Sequence, residues 1–303
     1  MRVGIGLPSG LPGVEGRLVV EWARRAEDGP FTSLGVIDRL AHDSYEPFVA
    51  LAAAAAVTAR PRLVTMIANA PLRNTALLAK TAASLDTLSG GRLVLGLAVG
   101  ARHEDYEVAR VEHRTRGRRL AEQLTTLRDL WEGDTIGPRP AHPGGPPLLV
   151  GGLSDAVFAR VARSADGYVH GGGPSRSFAR AAAKVRAAWS DAGRPGRPQL
   201  WAQGYFALGD EAAAAGARYL RDYYAFTGPF VEKIVEGLLT TPQAIAQFVR
   251  GYAEAGCDEL VLLPAASGLD QVERLAAVVR ALPPEALAGS EQAPDEATDE
   301  ARP

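Results

Sequence analysis

Short runs of β-branched and leucine-rich sequence alternate with longer alanine- and arginine-rich stretches of helical period along most of the chain. The strand-like runs fall at 2–7, 33–38, 62–67, 93–98, 148–150, 167–170, 200–208 and 259–263. A helical pattern follows each of them, at 16–28, 46–58, 75–88, 114–132, 155–164, 176–191, 212–223 and 269–282, and an extra helix at 243–255 precedes the last strand. Eight strands, each followed by a helix, predict an α/β fold in which a parallel sheet closes into a single-domain (β/α)8 barrel with an insertion before its last strand. A doubly wound sheet of this length usually has fewer strands. The proline- and glycine-rich stretch 137–147 reads as a loop between a helix and a strand, so residues 1–282 form one domain. Residues 283–303 combine proline, alanine and acidic charge with little to bury, and predict a disordered acidic tail.

Composition narrows the function classes. A formal net charge of -2 and the lack of a basic cluster interleaved with aromatics give no reason to expect nucleic acid or an anionic membrane as partner. The most apolar helical stretch, 48–59, falls short of the roughly 20 residues a membrane span needs. Strand-like sequence starts at Arg2 without an export leader, so a cytoplasmic location is expected. The only cysteine, Cys257, cannot form an intrachain disulfide and sits in an apolar context that suits a small buried residue.

In such barrels the chemistry sits on the loops after the strands. Gly151-Gly152-Leu153-Ser154 follows the fifth strand and opens a helix, where glycines allow close backbone approach and free N–H groups suit a phosphate. Read alone, it is better taken as an ordinary tight turn with Ser154 or Asp155 as a helix cap. Gly171-Gly172-Gly173 after the sixth strand adds a second run of backbone donors beside it. Asp38, Arg39 and His42 follow the second strand, where an acid and an imidazole would meet a substrate; Asp38 and Arg39 also suit a simple rim ion pair. Gly100-Ala101-Arg102-His103 follows the fourth strand. Other patterns fail. Gly4-Ile5-Gly6 leads to Pro8 where a dinucleotide-binding helix would begin, and Gly152-Leu153-Ser154-Asp155-Ala156 lacks the last glycine of a nucleophile elbow. The five histidines show no metal-ligand spacing, so no metal is expected.

One stretch is more specific. Pro71 with Arg73, then Leu85-Asp86-Thr87-Leu88-Ser89-Gly90-Gly91-Arg92, then Leu95-Gly96 and Gly100, resembles the luciferase-like flavin-dependent monooxygenase family. Glu122, Arg128-Asp129-Leu130-Trp131-Glu132-Gly133, Val150 to Ser154 and Ala165-Asp166-Gly167 are similar to its later segments, and the similarity runs from about Arg2 to Leu282. The resemblance implies a barrel that binds reduced FMN, or in many relatives a deazaflavin, edge-on at the strand termini. The bulge Ile67-Ala68-Asn69 would back the ring, often through a non-proline cis peptide. Gly100, Ala101 and Arg102 would flank it, Gly151, Gly152, Leu153 and Ser154 would hold the phosphate, and Gly171, Gly172 and Gly173 would close the phosphate site.

The function so implied is a two-component monooxygenase in which reduced FMN from a separate flavin reductase, with O2, acts on a small organic substrate, in a homodimer. Asp38, His42 and His103 are the candidates for proton transfer. Many deazaflavin-using relatives carry an acid-histidine pair where this chain has Asp38-Arg39, and arginine stays protonated at ordinary pH. That departure favours FMN over a deazaflavin-dependent dehydrogenase or reductase; a non-catalytic flavin-binding relative is a third reading.

Overall fold

The structure, a computed structural model, describes residues 1–287. Its strands are β1 (Arg2–Gly6), β2 (Ser33–Val36), β3 (Arg62–Thr65), β4 (Ala68–Asn69), β5 (Leu93–Ala98), β6 (Leu148–Gly151), β7 (Gly167–His170), β8 (Gln199–Phe206) and β9 (Glu259–Pro264). All neighbours run parallel, β1 pairs with both β2 and β9, and β3 pairs with β5, so eight strands close a (β/α)8 barrel. The two-residue β4 is additional. It continues the third strand beyond a break and pairs with the end of β5.

Helices α1 (Gly16–Glu27), α2 (Pro47–Ala55), α3 (Thr75–Leu88), α4 (His103–Ala109), α5 (Arg116–Glu132), α6 (Asp155–Ser164), α7 (Ser175–Asp191), α8 (Asp210–Tyr223), α9 (Val231–Glu236), α10 (Pro242–Glu254) and α11 (Asp270–Arg280) surround it. The insertion lies between β8 and α10 and comprises α8, a 3-10 stretch at Ala225–Phe230 and α9. The helix expected as an extra one, α10, packs on α7 and α11 in the outer layer. The short helices α4 and α9 carry too few turns for a periodic signal.

Period-two alternation along each strand builds two cores. Leu63, Leu95, Leu148, Val150, Tyr168, Leu200 and Leu260 face the helices. Val64, Val94, Leu149, Val169, Trp201 and Val261 fill the barrel. Its amino-terminal end is closed by Glu259, fully buried, which accepts hydrogen bonds from the hydroxyls of Thr32 and Ser33 at 2.6 Å each and pairs with Arg2 and Arg62. Arg62 lies over the Trp201 ring. This compensated carboxylate plugs the bottom, which leaves the opposite end, where the strands finish, for chemistry.

The first five residues of the expected tail are described. A 3-10 turn at Pro284–Ala286 packs against α10 with Ala286 buried, and the carbonyl of Leu287 accepts a hydrogen bond from the amino terminus. The rest of the expected tail, 288–303, lies outside the described residues.

Candidate functional site

At the end of β3 the Met66–Ile67 peptide is cis, and the chain steps outward to pair as β4. The bulge dictates two glycines opposite it. A Cβ on Gly151 would lie 2.2 Å from the Ile67 side chain, and one on Gly100, whose φ is +70°, would lie 2.8 Å from Asn69 Oδ1. Ile67, Asn69, Gly100 and Gly151, four residues assigned to the cofactor from sequence, therefore form one continuous surface, with Ala68 buried behind it.

Asp38 holds that surface. Its Oδ2 accepts from the Asn69 backbone N–H at 2.7 Å and from Arg73 Nη1 at 2.6 Å, while Oδ1 accepts from Arg73 Nη2 at 3.1 Å. Its backbone carbonyl accepts from Asn69 Nδ2 at 3.2 Å. Both carboxylate oxygens are committed. Arg39 does not make the rim pair with Asp38 that their adjacency suggested, because both Asp38 oxygens are taken by Arg73 and Asn69. Arg39 instead bonds Glu104 at 2.9 Å and lies 3.6 Å from Asp105.

The three proton-transfer candidates are thus in different states. His42 is nearly enclosed, with its side chain 9% exposed; neither ring nitrogen has a hydrogen-bond partner among the described residues, and Asp222 lies 4.0 Å away. Burial, followed by the positive charge of Arg39, holds its pKa below the ordinary histidine value, so the ring is neutral at pH 7. His103 is exposed at the start of α4 and stacks on His113 with ring centroids 3.7 Å apart. The structure brings His42 to the mouth beside Arg39 and Tyr223 and leaves His103 in this outer stack.

Arg102 carries the most informative geometry. It is buried, donates to the Tyr223 carbonyl at 2.9 Å, and lies between the rings of Tyr223 and Phe226, at 4.4 and 4.3 Å. No carboxylate pairs with it among the described residues, and its Nε has no partner. Ala101 beside it is exposed.

The two glycine loops follow adjacent strands β6 and β7 and so share one edge of the mouth. Ser154 occupies the cap position of α6 but makes no cap hydrogen bond, and it and Leu153 are exposed. The carbonyl of Gly152 is taken by the Tyr168 hydroxyl at 2.8 Å, and that of Gly173 by the Tyr252 hydroxyl at 2.8 Å. Around Gly171 and Gly173 space is open to the distance of a van der Waals contact, while Gly172 lies against Gln203. His170, just before this loop, is buried among Tyr168, Phe178 and Tyr252, and desolvation pushes its pKa down to about 4.

Sequence reasoning missed what covers the mouth. Tyr219, Leu220 and Tyr223 of α8 join the barrel-interior cluster, and the Tyr224 hydroxyl meets that of Tyr205 at 2.9 Å. The signal was present as tyrosines four apart within an alanine- and arginine-rich helix, a spacing that puts both on one face. Arg73 was likewise quoted without a role. Among the described residues no group of three or more histidine, cysteine, aspartate or glutamate side chains could hold a metal ion, and no helix is long and apolar enough to cross a membrane. The mouth thus offers a rigid flat floor, a buried cation without an anion, and two glycine loops at a helix start.

The model of the luciferase-like monooxygenases matches residues 1–257. The chain belongs to that family. It is an oxidoreductase family, and the chain is similar to several of its members. An uncharacterised protein of Mycobacterium tuberculosis is 38% identical over 163 residues, 49% of this chain and 56% of that protein. Pyrimidine monooxygenase RutA of Cronobacter sakazakii is 32% identical over 171 residues, 49% and 50% of the two chains. The oxygenase component of flavin-dependent trigonelline monooxygenase of Acinetobacter baylyi is 34% identical over 119 residues, 34% and 33%. The aligned regions thus span about half or less of these relatives' lengths.

Solved structures agree on the fold. The monooxygenase RslO1 from Streptomyces bottropensis superposes with a TM-score of 0.79 at 22% identity, covering 92% of this chain and 97% of that one. An F420-dependent secondary alcohol dehydrogenase gives 0.77 at 17% identity, covering 94% and 98%. The oxygenating constituent of 3,6-diketocamphane monooxygenase from Pseudomonas putida, in complex with FMN, gives 0.74 at 16% identity, covering 95% and 99%.

Proposed function

We propose that this protein is the oxygenase of a two-component flavin monooxygenase, using reduced FMN and O2 on a small organic substrate. The observation that carries this reading is Arg102. A buried guanidinium without an anion is costly, and a flavin phosphate or the anionic reduced ring would supply the missing charge. The residues fit the group: Ile67, Ala68 and Asn69 would back the ring, Gly100 and Gly151 keep that surface flat, and Gly152, Ser154 and Gly171 to Gly173 would receive the phosphate. Bound there, the cofactor would supply the oxygen chemistry, and the protein would position it and exclude water. His42, neutral and without a partner, is the residue we assign to proton transfer, Asp38 being committed to Arg73 and Asn69. The oxygenase component among the relatives supports a separate reductase as the source of reduced flavin.

The alternative is a deazaflavin-dependent dehydrogenase, favoured by the F420-dependent structural neighbour. Against it, the position of the family's histidine is filled by Arg39, locked on Glu104 and unable to act as a base. Anaerobic titration with each reduced cofactor, followed by oxygen, tests the choice. The proposal requires reduced FMN to bind and oxygen uptake to follow; binding of deazaflavin alone, with hydride transfer to a carbonyl substrate, overturns it.

A further inference from the structure

The wall that carries Gly151 continues around the barrel through β7 to β8. Gly151 is registered on Val169 of β7, and Val169 on Trp201 of β8. Gln203, two residues further along β8, therefore stands nearer the mouth than Gly151, beside the glycine loop that follows β7. Trp201 and Tyr205, two residues to either side of it, both belong to the cluster that fills the barrel, so the strand period turns Gln203 the same way. Gln203 is only 6% exposed. An amide in an otherwise apolar and aromatic interior is costly unless its hydrogen bonds are made.

Its neighbours on that face have their partners. Trp201 Nε1 donates to Gln199 at 3.2 Å, and the Tyr205 hydroxyl meets that of Tyr224 at 2.9 Å. Gln203 is half satisfied. Its Nε2 donates to the Gly171 carbonyl at 3.3 Å, and its Oε1 is buried without a partner among the described residues. Turning the amide over would not cure this, because the Gly171 carbonyl only accepts and would then face an oxygen. Gly172, at a φ of +101°, lies so close to β8 that a Cβ would come 3.1 Å from the Gln203 carbonyl oxygen, which holds loop and strand together. A Cβ on Gly171 would meet nothing within 4 Å, which leaves room beside the amide.

We infer that Gln203 is a specificity-determining residue of the mouth, whose open Oε1 accepts an N–H from the edge of a cyclic amide, a lactam or an imide. With one Nε2 proton given to Gly171, the side chain keeps one donor and one acceptor in a plane. A cis-amide in a flat ring presents the complementary pair, N–H beside C=O. Two molecules of the proposed reaction could carry that edge, the imide end of the flavin ring or the organic substrate. The inference rests on the flavin oxygenase reading for its ligands.

Two pairs of probes isolate that N–H in the full chain. FMN and its N3-methyl derivative are compared by fluorescence titration. 2-Quinolone and coumarin, in which a ring oxygen replaces the N–H, are compared by ligand-observed NMR with and without FMN. The N–H member of at least one pair is expected to bind the wild-type chain about 10-fold more tightly than its partner. Gln203→Met keeps the length of the side chain, removes both polar atoms and should shrink that ratio by about 2- to 10-fold. A discriminating flavin pair assigns the N–H to the cofactor ring, and a discriminating quinolone pair assigns it to the substrate. If neither pair discriminates, or if Gln203→Met weakens both members of a pair equally, Gln203 only braces the glycine loop and the inference is overturned. Failure of both flavins to bind while 2-quinolone is still preferred over coumarin would refute the flavin reading instead and leave the role of Gln203 standing.

Discussion

Replacing Asp38 with asparagine separates a structural carboxylate from a proton-transferring one. Asp38 is buried, and its two oxygens take two hydrogen bonds from Arg73, at 2.6 and 3.1 Å, and one from the Asn69 N–H at 2.7 Å. Removing one member of a buried ion pair costs about 3–5 kcal/mol. Arg73 is 21% exposed and keeps Glu46 at 3.0 Å, which places Asp38→Asn below that range, at about 2–3 kcal/mol. At this chain length roughly 2 °C is lost per kcal/mol, so the melting temperature should fall by about 4–6 °C. On the proposed placement of the cofactor, FMN binding should weaken with it, since Asn69 anchors the bulge that would back the ring. Arg73→Met alone should be comparably harmful, and the double variant should lose less than the sum, because the second change removes a charge the first has stranded. Calorimetric melting and fluorescence titration with FMN read both effects. If Asp38→Asn melts within about 1 °C of the parent and binds FMN equally well while turnover alone collapses, then the structural assignment is wrong and Asp38 carries a proton.

Ser154→Ala should weaken FMN binding by about 1.5–3 kcal/mol, the usual loss for a hydrogen bond to a charged group, and leave riboflavin binding unchanged; equal losses for both ligands would move Ser154 away from the phosphate. His170 has a pKa of about 4 in the folded chain against 6.5 when exposed, so between these values the unfolded chain binds the proton more readily and stability falls as pH drops, by about 3 kcal/mol in all. His170→Phe should flatten urea-unfolding stability over that window, and an unchanged slope would show that the ring is hydrated. Truncation after Pro283 removes buried Ala286 and the Leu287 carbonyl that receives the amino terminus, and should lower the melting temperature by a few degrees relative to truncation after Leu287; identical melting would show that the turn is dispensable.

The barrel was legible because each strand announces itself by β-branched runs and each helix by its period, and those patterns are set by burial on both faces of a parallel sheet. The family motif was legible for a related reason, and much of it is scaffold. Arg92 donates to the carbonyls of Thr58 at 2.8 Å and Pro61 at 2.9 Å, and buried Asp86 accepts from the Ala141 N–H at 2.9 Å. These residues tie loops near the amino-terminal end of the strands, far along the barrel from the chemistry. The motif marks one member of each tie and leaves the other unmarked, since the ties span 31 to 55 residues. The contacts that form the mouth have the same character, joining residues from distant parts of the chain: Asp38 with Arg73, Arg39 with Glu104, Arg102 with Tyr223.

The same limit applies to Arg102. The family resemblance marks it as a flank of the cofactor, but a loop arginine usually finds a carboxylate nearby, and only the folded chain shows that this one does not. It is buried, no carboxylate pairs with it among the described residues, and its Nε has no partner there. The guanidinium lies 4.4 Å from the centre of the Tyr223 ring and donates to the Tyr223 carbonyl at 2.9 Å, so one residue holds it twice. Tyr223→Leu keeps the carbonyl and removes the ring, and should weaken FMN binding in a fluorescence titration, whereas Tyr219→Phe, which keeps the ring packed on Tyr223, should leave it unchanged. Unchanged FMN binding in Tyr223→Leu would show that the ring does not position Arg102.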